Sequence, residues 1–218
     1  MSAVPALRDA DAPAPFGAVA FADAMAATPA QLADLERFRA LLVEWNERMN
    51  LVGPSAIADF WRRHAFDSAQ LIDYAPSALR WADLGPGAGF PGVVLAILLK
   101  GRPGAVVHLI ESMAKRCGFL RAVVAELALP AEVHNARAET LALAPVDVVC
   151  ARACAPLTKV LGYALPYLKT GAIGLFPKGQ DVAAELAEAR RSWRFKARLI
   201  GSRSGDGSIV RVEGLKHV

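Results

Sequence analysis

Asp83-Leu84-Gly85-Pro86-Gly87-Ala88-Gly89-Phe90-Pro91-Gly92 is the stretch on which the reading of the fold turns. It follows an apolar run, Leu79 to Leu84, that reads as a strand, and it leads into Pro91 to Lys100, which reads as a helix. Glycines let the chain turn sharply and bring its backbone close to a ligand. Pro91 suits a helix opening, where its missing N–H is not needed. The helix N-terminus would then turn free N–H groups toward a bound molecule. Four glycines and two prolines in one turn exceed what a plain strand–helix connection requires.

Outward from this loop, short apolar strands alternate with helical stretches. Further strands are predicted at Ala105 to Ile110, Glu132 to Asn135, Val146 to Cys150 and Ala172 to Pro177. Further helices are predicted at Ser112 to Leu127 and Leu157 to Leu168. Near-continuous apolar strands in such alternation imply an α/β fold, a parallel sheet with helices on both faces. Ser192 to Ile200 and Gly207 to Glu213, joined by the turn-rich Gly201 to Asp206, read as a hairpin at the sheet edge.

Upstream, Thr28 is placed to cap a helix that opens with Pro29. Leu32, Leu35, Phe38, Leu42, Trp45 and Met49 recur there at three- and four-residue steps, and Gly53-Pro54 ends the pattern. Ser55 can cap a second helix that Pro76 closes. Residues 28–78 therefore read as a helical region and 79–218 as a Rossmann-like domain, the two forming one compact unit. Residues 1–27, rich in Ala, Pro and Asp, read as a poorly ordered tail with short helical turns at best.

The chain has 218 residues, 54% hydrophobic and 21% charged, enough for one sizeable core. No apolar run approaches a bilayer span, the longest being Val93 to Leu99. Asp9, Asp11 and Asp23 interrupt any leader-like stretch. Cys117, Cys150 and Cys154 do not make a disulfide framework and fit a reduced, cytoplasmic protein. Four scattered histidines and no Cys-x-x-Cys pair argue against a structural metal. The net charge of +4 permits a polyanionic partner without requiring one.

The loop fits two ligands. Gly87-x-Gly89-x-x-Gly92 matches the dinucleotide fingerprint. Asp83-x-Gly85-x-Gly87-x-Gly89 resembles the acidic glycine loop of class I methyltransferases. Glu111, about 20 residues on, can accept hydrogen bonds from ribose hydroxyls in either case. An ionised Asp83 at the mouth of the loop favours the cationic donor S-adenosylmethionine and would repel a pyrophosphate. The chain also lacks a second domain for a dehydrogenase substrate.

Several motifs taken in order resemble one family. They are Trp45-Asn46 with Asn50-Leu51, Arg63-His64 with Asp67-Ser68, and the Asp83 to Gly92 loop with its Gly-Phe-Pro-Gly ending. Glu111-Ser112 with Lys115-Arg116 and Phe119-Leu120-Arg121 follow, then Arg137-Ala138-Glu139, Ala151-Arg152-Ala153 and Lys178-Gly179-Gln180. Over residues 30–215 the chain is similar to the ribosomal RNA small subunit methyltransferase G family, also called the glucose-inhibited division protein B family. The resemblance implies a class I fold and a bacterial enzyme, and the chain is expected to act as a monomer. Its methyl group would pass from S-adenosylmethionine to N7 of a guanine in the 530 loop of 16S rRNA. Either free RNA or the small ribosomal subunit would be the partner. It implies donor binding by Gly85, Phe90, Ala138, Glu139 and Arg152, with Gly87 and Gly89 in the same loop and Glu111 as the ribose acid. Pro86 departs from the family, which usually has Ser or Thr there.

Guanine N7 carries a lone pair and no proton, so its methylation needs orientation more than a base. The chain lacks an Asn/Asp-Pro-Pro-aromatic motif, and Cys150 and Cys154 suit small buried apolar positions better than nucleophiles. Arg152 can donate to guanine O6 or shape the donor pocket. His64, Asp67, Ser68 and Leu71 share a helix face, with catalytic and packing roles evenly weighted for His64. Asn50 is a helix C-terminal residue or a substrate contact. Lys178 reads as a contact to RNA or a solvated strand end. Lys115, Arg116 and Arg137 are candidates for the RNA backbone, against the plainer reading of a solvated face. Arg194, Lys196 and Arg198 make a basic strand face, for which protection of the sheet edge is slightly preferred.

Overall fold

A computed structural model describes residues 16–141 and 143–218. The seven strands are β1 (Arg80–Leu84), β2 (Val106–Glu111), β3 (Ala131–Asn135), β4 (Val148–Cys150), β5 (Ile173–Lys178), β6 (Trp193–Gly201) and β7 (Ser208–His217). They form one sheet in the order β3-β2-β1-β4-β5-β7-β6. The first five run parallel, and β7 is antiparallel to both its neighbours. The hairpin thus ends the sheet, as its turn-rich link predicts, with β6 outermost.

The helices before the sheet are α1 (Ala18–Met25), α2 (Pro29–Met49), α3 (Pro54–Ala58) and α4 (Asp67–Ala69). Those between strands are α5 (Gly92–Leu99), α6 (Ala114–Glu126), α7 (Leu157–Leu168) and α8 (Val182–Ser192). One core joins α2, α5 and α6 to the sheet face that carries Trp81, Val107, Leu109 and Val148. On the other face Ala82, Leu84, Ile110 and Val149 meet α7 and α8 through Leu157, Val160, Leu161 and Ala189. α5 is buried on every side, which explains its unbroken apolar sequence.

Thr28 caps α2 as expected. Its hydroxyl accepts from Gln31 N at 3.2 Å while Gln31 Oε1 accepts from Thr28 N at 2.9 Å, a reciprocal box that satisfies the first turn. The helix stops at Asn50, whose φ of 50° lies in the left-handed region.

Three expectations are corrected. The tail does not extend to residue 27: α1 is a packed helix, with Phe21 fully buried against Trp61 and Phe16 against Phe66. Phe21 and Met25 four residues apart carry that signal. Residues 1–15 of the expected tail lie outside the described residues. The second helix of the N-terminal region is not continuous, because a π-helical turn at Phe60–Phe66 sits between α3 and α4 and a 3₁₀ turn at Gln70–Tyr74 follows. Third, α8 lies where no element was expected, although Val182, Leu186 and Ala189 recur at four- and three-residue steps.

The histidines are also not all scattered in space. Parallel pairing of β2 with β3 sets His108 opposite Glu132 and beside His134.

Candidate active site

A cavity of about 450 Å³ lies over the ends of β1 and β2 and the turn after β4. The chain reverses its winding between β1 and β4, and open α/β sheets bind ligands at that switch point. The volume falls in the range of small-molecule sites.

The glycine loop makes one wall. Gly85 holds φ at +70°, and its N–H donates to Ile110 O at 2.8 Å, fastening the loop to β2. Gly87, at φ +57°, has no heavy atom closer than 4.0 Å to where a Cβ would stand, so backbone is laid bare to the cavity. Glu111 ends β2 almost fully buried in the cavity wall beside the loop. It accepts from Met113 N at 2.8 Å through Oε1 and from Gly87 N at 3.3 Å through Oε2. Phe90, Ala138 and Glu139 also line the cavity, as do Arg116 and Arg137. Arg116 stands 3.9 Å from Glu111 Oε2, and Arg137 pairs at 3.7 Å with Glu139. The two arginines flank this cavity, whereas Lys115 is exposed and outside it. Leu51 and Val52 line it too, brought in by the loop after α2, and sequence reasoning gave them no role.

Two residues assigned to the donor do not line this cavity. Gly89 turns toward the core: a Cβ there would stand 2.8 Å from Val93 Cγ2 and 3.0 Å from Phe38 Cζ. Asp83 does not stand at the loop's mouth. It is wholly buried under the loop, where Oδ2 accepts from Gly92 N at 2.7 Å and Oδ1 has no hydrogen-bond partner among the described residues. Burial raises its pKa to about 7, against the opposing pull of the Gly92 N–H and the Arg152 charge. The first amide of α5 is therefore taken by Asp83 rather than left free for a ligand.

A second cleft of about 770 Å³ adjoins the first, and Arg152 and Ala153 line both. Ala153 holds φ at 50°, an uncommon conformation for a residue with a side chain, at the junction. Arg152 is gripped from the helical region. One Nη1 contacts Arg63 O at 2.7 Å and Asp67 Oδ2 at 3.3 Å, and Nη2 donates to His64 Nδ1 at 2.7 Å. The guanidinium carbon lies 5.0 Å from the centre of the Phe90 ring.

Because arginine only donates, His64 must accept at Nδ1 and carry its proton on Nε2. Burial, then the positive charges of Arg152 and Arg63, depresses its pKa to about 4, so the ring is neutral near pH 7. Its accepting nitrogen is already engaged, which makes His64 a poor base and a good strut. The π-helical turn carries this ring, a distortion common at functional sites.

Asp67, which sequence reasoning placed only in a helix-face cluster with His64, is a hub. Its Oδ1 accepts from Ser204 Oγ at 2.6 Å, Gln70 Nε2 at 3.1 Å and Ser202 Oγ at 3.3 Å. Gln70 Oε1 in turn accepts from Arg203 N at 3.0 Å. The β6–β7 link thereby becomes a wall of the cleft, although its sequence signals only a turn.

Lys178 lines the second cleft, yet it is not a solvated strand end. Its Nζ donates to Ala155 O and to Glu185 Oε2, each at 2.8 Å, and Glu185 also accepts from Leu157 N at 2.6 Å. This ties β5 to α8 and to the start of α7. Asn50 caps α2 with its backbone and is exposed outside both cavities.

A family model described as GidB, rRNA small subunit methyltransferase G, matches residues 31–201. The chain belongs to that family. It is 62% identical over 202 residues to the ribosomal RNA small subunit methyltransferase G of Caulobacter vibrioides, covering 92% of this chain and 93% of that protein. A protein of the same name from a Caulobacter species is 60% identical over 205 residues, covering 94% and 92%. Among solved structures, magnesium protoporphyrin IX methyltransferase from Synechocystis matches with a TM-score of 0.53. The match covers 87% of this chain and 99% of that one at 14% identity, and it speaks to the fold alone. The fold is that of class I methyltransferases, and membership of the family makes the chain an rRNA methyltransferase. No helix among the described residues is long and apolar enough to cross a membrane.

Proposed function

We propose that this protein transfers a methyl group from S-adenosylmethionine to N7 of a guanine in the 530 loop of 16S rRNA, as a monomer in the bacterial cytoplasm. The observation that carries the reading is the position of Arg152, on the shared wall of two adjoining cavities. The donor fits the first cavity on two counts. Gly87 leaves backbone open where a Cβ would stand, and the buried Glu111 carboxylate offers acceptors for ribose hydroxyls.

In that arrangement Gly85, Gly87 and Phe90 hold the end that carries the methyl group, and Ala138 and Glu139 hold the base. The donor supplies an electrophilic methyl carbon on a sulfonium. Guanine enters from the second cleft. Its N7 lone pair forms the new C–N bond as the S–C bond returns its electrons to sulfur. No proton leaves N7, so no base is needed, which agrees with a site whose one histidine has its accepting nitrogen occupied.

Of the five N–H groups of Arg152, three are engaged by Arg63, Asp67 and His64. The remaining two have no partner among the described residues and can donate to guanine O6, holding the base with N7 toward the methyl. Arg152 is then a catalytic residue through orientation, and His64 and Asp67 are positioning residues. Arg116 and Arg137 at the donor rim, with Lys115 beyond it, supply charge for the RNA backbone.

The test is nucleoside mass spectrometry on 16S rRNA from a strain lacking the gene, incubated free and in small subunits with isotopically labelled S-adenosylmethionine. Labelled 7-methylguanosine confined to a 530-loop fragment is the expected result. Label on another base or atom would overturn the assignment of target while leaving methyl transfer intact.

A further inference from the structure

We propose that His108, Glu132 and His134 form a binding site for a divalent transition-metal ion of the zinc class, clamping β2 to β3. Three lone-pair atoms converge there. His108 Nδ1 is 3.1 Å from His134 Nε2 and 3.4 Å from Glu132 Oε2, and His134 Nε2 is 3.7 Å from the same oxygen. Zinc bonds of about 2.0–2.1 Å in a tetrahedron hold neighbouring ligand atoms about 3.3–3.4 Å apart. The three separations bracket that distance.

Protons satisfy this cluster poorly. In the neutral pair a single N–H can lie between the two rings. The carboxylate oxygen, an acceptor only, then meets ring nitrogens of which at most one donates. A cation at the common centre serves all three lone pairs at once. Two imidazoles and one carboxylate are also a ligand set suited to zinc and its neighbours.

The placement follows from parallel pairing. His108 faces Glu132 directly, and His134 lies two residues further along the same face of β3. Between β3 and β4 no helix occurs among the described residues, so this corner of the sheet is only part-covered. The imidazoles are 12% and 22% exposed and Glu132 61%. The side chains are held by the strands, while solvent, and with it an ion or a fourth ligand, has access. The position also has a consequence for the donor cavity. β3 runs from this cluster directly into Ala136, Arg137, Ala138 and Glu139.

The experiment uses the full-length chain without a polyhistidine tag, stripped of metal by a chelator. Cobalt(II) is titrated in and followed by visible absorption, zinc then competes it out, and thermal unfolding is recorded with and without zinc. The expected result is one equivalent bound with a tetrahedral cobalt spectrum and a zinc-dependent rise in Tm. His134→Gln and Glu132→Gln should each weaken binding at least about tenfold, whereas His217→Gln leaves it unchanged. Glu132→Gln alters a mostly exposed side chain, so a folding defect does not cloud it, and circular dichroism verifies each variant. Absence of a one-equivalent site, or an affinity in Glu132→Gln and His134→Gln unchanged from the parent, would overturn the proposal and leave a hydrogen-bonded histidine pair.

Discussion

The two cavities that meet at Arg152 are built in opposite ways. The donor cavity rests on backbone: the ends of adjacent parallel strands, a glycine loop between Leu84 and Gly92, and one buried acid, Glu111. The second cleft rests on side chains from distant parts of the chain. Arg152 meets His64 across 88 positions, and Ser204 meets Asp67 across 137. The core of one is a local strand–loop–helix unit with the end of the next strand. The other exists only when the helical region, the sheet and the terminal hairpin are all in place. Specificity for a ligand shared by many enzymes can live in the first, and specificity for a particular RNA in the second.

The comparison can be broken most severely at Gly92. A Cβ there would lie 2.3 Å from Leu109 Cδ2 and 2.7 Å from Asp83 Oδ2. Gly92→Ala should therefore cost about 3 kcal/mol or more by overpacking, read as a fall in Tm with loss of donor binding. A variant as stable as its parent would mean that the loop rearranges freely and that the donor wall is not rigid backbone.

The next pair separates the cavities functionally. Glu111→Gln should weaken S-adenosylmethionine binding about 10- to 100-fold by calorimetry, as the charged acceptor is lost. Asp67→Ala should leave donor affinity within about threefold and lower kcat on RNA by up to about 100-fold, because Arg152 loses its anchor. Equal effects on donor affinity would show that the two cavities act as one.

Each region also holds a titratable group whose pKa burial shifts strongly, and the two have opposite effects on stability. Asp83 titrates at about 7 in the fold against 3.8 ordinarily, so the folded state holds the extra proton between those values. Its contribution to stability is greatest in acid and is lost as pH rises from about 4 to 7. His64 titrates at about 4 against 6.5, so its contribution is present above 6.5 and is lost as pH falls toward 4. Denaturation across pH should show the Asp83→Asn variant gaining on its parent as pH rises through that window. His64→Gln should lose its disadvantage as pH falls through the other. Parallel curves would contradict the burial of both groups.

The smallest effect is expected at Lys115, exposed and outside both cavities. Lys115→Ala should leave donor affinity unchanged and reduce the salt dependence of RNA binding by about one in log–log slope. An unchanged slope would remove it from the RNA surface.

Legibility in the sequence follows the same division. The five parallel strands, the hairpin and the Thr28 cap were readable because each is set by residues within a few positions of one another. The glycine turn and the position of Glu111 at the end of β2 were readable for the same reason. Asp83 and Gly89 belong to the same motif, but their side-chain directions are fixed by Gly92, Val93 and Phe38, so spacing alone misplaced them. Helix α1 and helix α8 were missed despite usable periodicity, being short and lying beside Ala- and charge-rich stretches. Asp67 as hub, the engagement of Lys178 by Glu185, and the meeting of His108 with His134 left no sequence mark, since each depends on register between separate elements.

The sequence by itself determined an α/β architecture, a glycine loop beside an acid at the end of the next strand, and the family to which these belong. Periodicity and loop chemistry are local, and a strand followed by glycines and a helix can fold in few ways. Only the tertiary structure decided which acid lies buried beneath the loop with its pKa raised, which arginine is gripped between two cavities, and which histidines touch. Those outcomes depend on desolvation and on distances of a few ångströms between segments that chain order leaves far apart.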